Sequence, residues 1–90
     1  MKALELAILS YNQWSAPWRF YDYIIQHQTI MDKDKVLFKN LWAGACSFEL
    51  WNDPFLNNGC ENAGAFLRDT SELSEAAVDS IVRAISYEWK

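Results

Sequence analysis

Positive charge is scarce in this chain. Eight Lys and Arg are scattered over 90 residues against twelve Asp and Glu, for a net charge of −4. Neutralising phosphates takes clustered bases, so direct nucleic-acid binding is not expected. Stacking of single-stranded bases on aromatic rings also needs a positive groove, and Arg19 alone lies within the most aromatic stretch, Tyr11–Tyr23. Histidine occurs once, as His27. A general base needs an oriented partner and a nucleophile within reach, and a metal needs a set of ligands. A lone His between the apolar and polar sectors of a helix reads as a boundary residue.

Cysteine is equally sparse. Cys46 and Cys60 stand fourteen positions apart, which is not metal spacing and is too few for a disulfide framework. Sequence alone leaves a bridge between them open. With no Lys or Arg nearby to lower a thiol pKa, both read as small core residues. Gly59 and Gly64 have the glycine spacing of a phosphate loop, but Ala65 and Phe66 stand where Lys and Ser/Thr are required. Asp32 and Asp34 open like a calcium loop, yet Lys33 and Lys35 interleave them and Leu37 occupies the glycine position. No metal or cofactor is expected, and no catalytic constellation is present, so an enzyme is not the favoured reading.

Long apolar runs are missing too. Nothing approaches the roughly 20 apolar residues of a membrane span. Glu5 interrupts the short apolar run behind Lys2, and no small-residue cleavage site follows, so a secretory leader is not expected. A cytoplasmic, reducing setting is the default.

What the chain has in abundance is rings. Six aromatics fall within Tyr11–Tyr23 (Tyr11, Trp14, Trp18, Phe20, Tyr21 and Tyr23), with no Leu, Ile, Val or Met among them. Overall the chain is 51% apolar and 16% aromatic, which argues against disorder. Residues 1–90 form a single domain, and a chain of this size buries roughly 60–65% of its unfolded surface. Charge is uneven along it. Through Phe48, four acids meet five bases; from Glu49 onward, eight acids meet three.

The periodicity predicts an all-α fold, a compact bundle of four to five short helices around a central helix 34–52. Lys2–Tyr11 is rich in helix formers and lines up Leu4, Ile8 and Tyr11, although Leu4, Leu6 and Ile8 also alternate as in a strand. Ser15-Ala16-Pro17 reads as a helix start, and that helix runs to about Thr29 with Arg19, Asp22, Gln26 and Thr29 as its polar stripe. Asp32 or Asp34 can cap the next helix. On it Leu37, Leu41, Gly44, Phe48 and Trp51 follow steps of four and three, with Trp42, Cys46 and Leu50 as a second row. Gly44 permits close helix approach.

Asp53-Pro54 and Asn57-Asn58-Gly59 read as turns, with a short helix from about Cys60 to Arg68 between the second turn and the last helix. That last helix starts at Ser74, as N-cap, with Leu73 and Val78 closing around it as a staple. Val78, Ile81, Val82, Ile85 and Trp89 form its apolar stripe, and Glu75, Asp79, Arg83, Ser86 and Lys90 lie opposite. Asp79 and Arg83 stand four apart, in the order that favours an ion pair.

Two surfaces are candidates for a partner. Tyr11, Trp14 and Trp18 gather around the first turn, and Trp and Tyr dominate binding hot spots. Glu72, Glu75 and Asp79 form an acidic face that can steer towards a basic protein surface, although acids at a helix start also complement its dipole. The favoured function is a small acidic protein-binding module, an inhibitor that sterically blocks a working surface of its partner. Toxin-immunity proteins and phage counter-defence inhibitors, anti-CRISPR proteins among them, share this size, acidity and lack of catalytic residues; the likeness is one of class, not of sequence. The alternative is a structural or adaptor subunit of a larger assembly or homo-oligomer. The chain itself is expected to be a monomer or a small homo-oligomer.

Overall fold

The computed structural model describes residues 2–52 and 54–88. Asp53 of the Asp53-Pro54 stop, and Trp89 and Lys90 of the last helix, lie outside the described residues. Within them the secondary structure is entirely helical. The elements are α1 (Lys2–Ser10), a 3₁₀ turn (Pro17–Arg19) leading into α2 (Phe20–Ile25), α3 (Asp32–Ala45), α4 (Phe48–Trp51), α5 (Leu56–Thr70) and α6 (Glu75–Glu88). The all-α bundle is as expected, but its elements are cut differently.

The expected helix 34–52 is divided. α3 ends at Ala45, Ser47 adopts an extended backbone, and α4 turns back as one short helix. The bend places Trp51 where its indole N–H donates to the Ala45 carbonyl at 2.6 Å, satisfying one of the acceptors the helix end leaves open. The Trp51 ring lies against Gly59 of α5, in the space a Cβ would need. That contact explains a second difference. Asn57-Asn58-Gly59 is not a turn: it belongs to α5, which begins at Leu56, and no glycine has a positive φ. The glycine serves ring packing rather than chain reversal. Gly44 does the same on α3, where the Phe66 ring fills the position of its missing side chain.

α3 also presents a different face from the one expected. Its buried residues are Asp34, Phe38, Leu41 and Ala45, a seam that shares only Leu41 with the row read from the sequence. Phe48, extrapolated to that row, is exposed because the helix has already broken. Met31 occupies the N-cap position, so neither Asp32 nor Asp34 caps α3; both lie in its first turn. The second helix stops at Ile25 rather than Thr29, where the Gln26 and His27 amides bond back to Asp22 and Ile24.

α6 takes the central position. It packs against α5, α1, α3 and the 3₁₀ turn, burying Ala77, Val78, Ile81, Ala84 and Ile85. Its N-terminus follows the expectation: Ser74 Oγ accepts from the Ala77 amide at 3.3 Å, and Leu73 and Val78 are both buried. The Ser74 amide in turn donates to the Glu5 carboxylate of α1, 69 residues away. A capping box normally draws that carboxylate from the helix's own third residue; here a different helix supplies it and ties α1 to the start of α6.

Candidate docking surface

The aromatic window divides between core and surface. Tyr11, expected on the partner face, is 4% exposed. Its hydroxyl donates to the Ala16 carbonyl at 2.6 Å, strapping the 11–16 loop shut. Its ring meets Trp14, Phe20 and Tyr23 edge-on at centroid distances of 5.1, 5.3 and 5.1 Å. Phe20 then continues inward to Phe38 and Trp42. The loop has no interior of its own, but it borrows one from α2 and α3. Tyr11 therefore supports the surface from beneath and does not form part of it.

Trp14 is half-buried, with one ring stacked near Phe20 at 5.6 Å. The Arg83 guanidinium of α6 sits over the Trp14 ring, 4.4 Å from its centroid, a cation–π contact. The expected Asp79–Arg83 pair does not form, and Arg83 has no ion pair or side-chain hydrogen bond with a described residue. Trp18 is 53% exposed and rests against Tyr87, itself 42% exposed, at 5.5 Å. Trp14, Ser15, Pro17, Arg83, Ser86 and Tyr87 enclose a cleft of about 250 Å³ beside them.

Two of the acidic residues, Glu75 and Asp79, lie on the same helix, and Glu72 lies in the segment 71–74 that leads into it. Glu72, Glu75 and Asp79 are all exposed. Glu75 accepts from Arg68 Nε at 2.8 and 3.0 Å, and the Glu75 carboxylate, with Asp79 and Asp69 behind it, raises the Arg68 pKa above its ordinary value. The residues Glu75, Asp79, Arg83 and Tyr87 follow one another at intervals of four, so they share one face of α6. Two surfaces read separately from the sequence thus adjoin on one stripe, acidic at its start and, among the described residues, carrying Arg83 beside the Trp18 and Tyr87 rings towards its end. Arg83 and Tyr87 were not singled out as partner residues; their spacing from Asp79 was the available signal, but Arg83 was assigned to an ion pair.

Elsewhere, burial pushes the Cys60 thiol above its usual pKa, which opposes a nucleophilic role. His27 Nδ1 lies 2.7 Å from the Thr29 hydroxyl and accepts from the Thr29 amide at 3.3 Å. Among the described residues, no three His, Cys, Asp or Glu are grouped to hold a metal, and no helix is long and apolar enough to cross a membrane. No family model, curated protein or solved structure matches the chain.

Proposed function

We propose that the chain is a protein-binding module that docks through the outward stripe of α6 and the 3₁₀ turn beside it, and that it acts as an inhibitor by covering a working surface of its partner. The observation that supports this reading is the Trp18–Tyr87 pair. Two large rings lie against each other at 5.5 Å and remain about half exposed, on a chain with many buried partners available to them. Tyr and Trp in such positions supply most of the energy of typical interfaces. Asp79 and the Arg68-paired Glu75, one and two turns away from Arg83, add the acidic contacts that orient a basic patch on the partner. Because the stripe belongs to the central helix, its backbone is already in place before binding, which lowers the ordering cost of association.

The test is affinity capture from the native host with the wild-type chain and with Trp18→Ala. A partner held by the wild type and lost by a Trp18→Ala protein of unchanged melting temperature supports the reading; equal capture by both rejects this face.

A second reading, a subunit of a larger or self-associated assembly, draws on a separate feature. Phe48, Phe55 and Leu56 are exposed around the α4–α5 corner, an apolar group of the kind that marks association surfaces. Light scattering separates the two: a monomer leaves the inhibitor reading, and an obligate oligomer that Phe55→Ser dissolves favours the subunit.

A further inference from the structure

The cleft beside the Trp18–Tyr87 pair has a chemistry of its own. Its volume, about 250 Å³, falls below the ~300–1,000 Å³ of small-molecule sites and suits a single protruding side chain. Trp14, Tyr87 and Pro17 line it with Ser15, Ser86 and Arg83; the Ser86 hydroxyl already donates to the Arg83 carbonyl at 2.8 Å, so Ser15 and the Arg83 guanidinium are the polar groups left to meet a ligand. Arg83 decides the sign. Its guanidinium is held over Trp14 at 4.4 Å, and none of its donors is engaged by a described residue. The helix-mate that could have neutralised it, Asp79, is not paired with it.

We infer that this cleft receives an acidic side chain, Asp or Glu, from the protein partner, with Arg83 as its counter-ion and Trp14 and Tyr87 beside it; this rests on the docking face argued above. A carboxylate fits better than a phosphate. Phospho-recognition draws on clusters of Arg, whereas among the described residues Arg83 is the one cation lining this cleft, on a chain of net charge −4 and with Asp79 one helical turn away. The partner then presents an acid opposite Arg83 and a base opposite Asp79, residues one helical turn apart on α6.

The experiment uses the full chain and a displayed library of random linear peptides as the probe. Binders are located by the indole N–H signals of Trp14 and Trp18 in ¹⁵N–¹H spectra. The expected binders shift both signals and share an Asp or Glu. Changing that acid to Asn or Gln weakens binding on the order of tenfold, as for a charge-assisted hydrogen bond. Arg83→Gln weakens the acidic peptide by a similar factor and leaves the amide version unaffected. The peptide-side exchange needs no change in the protein, so loss of fold cannot mimic the result. Binders that shift both indoles without an acid, or that ignore Arg83→Gln, overturn the carboxylate inference while the docking face stands. A phosphoserine peptide that binds far more tightly than its Asp or Glu counterpart overturns it in favour of phosphate. Binders that leave both indoles unmoved, or no binders at all, count against the face itself.

Discussion

Gly44 and Gly59 each make room for a ring, and this is where single residues matter most. A Cβ at Gly44 would overlap the Phe66 ring, and overpacking of this kind costs about 1–3 kcal/mol, more than the ~1 kcal/mol of helix propensity that Ala brings. Gly44→Ala is therefore expected to lower the denaturant midpoint, and adding Phe66→Leu to restore part of the loss. Gly64 is the contrast. The nearest atom to its added Cβ is the tip of the Arg68 side chain at 3.2 Å, which can move aside, so Gly64→Ala is expected to stabilise by about 0.5–1 kcal/mol. Equal losses at both positions would refute the distinction. At Cys60, burial raises the thiol pKa, so the folded chain holds that proton to higher pH than the unfolded one. Alkylation of Cys60 by iodoacetamide is accordingly slower in the folded than in the urea-unfolded chain at the same pH. By linkage, this thiol's contribution to stability is complete below its ordinary pKa and declines as pH rises past it.

Among the elements, the start of α6 is the most tightly specified. Ser74 caps it, Leu73 and Val78 close over it, and Glu5 of α1 accepts from the Ser74 amide. Ser74→Ala and Glu5→Ala are each expected to cost about 1 kcal/mol. Chemical denaturation of the two single variants and the double variant checks the arrangement. A coupling energy of about 0.5 kcal/mol or more is expected from residues that share one cap, and strict additivity would contradict it. The Ser74 cap and the α6 stripe were legible in the sequence because they depend on neighbours within one helix. The Glu5 contact was not, because it joins positions 69 apart. α3 shows the opposite outcome. Asp34 interrupts the apolar pattern of Phe38, Leu41 and Ala45, so an all-apolar row one position away was read as the buried seam. The break at Ser47 was equally hidden, since it goes with a tertiary contact, the fit of Trp51 onto Gly59 of α5. The aromatic window is only partly divisible from sequence, because core and interface favour the same rings: Trp18 is exposed, whereas Tyr11, expected on the partner face, packs inside against Phe20.

The molecule measures 38 × 28 × 19 Å. Its short axis is about two helix diameters, so even its central helix keeps one side in water. α6 uses its inner side to hold α1, α3 and α5 together and leaves Glu75, Asp79, Arg83 and Tyr87 outward, beside Trp18. Packing hub and proposed docking face are thus opposite sides of one helix, and surface changes along that stripe should alter association with little effect on stability. Photo-crosslinking in the native host tests this most directly, with a benzophenone amino acid placed at position 18 in one variant and at exposed Asn40 of α3 in another. A discrete covalent adduct with a partner protein is expected from position 18 and none from position 40. An adduct from position 40 alone, or none from position 18 in a folded chain, would contradict the proposed docking face.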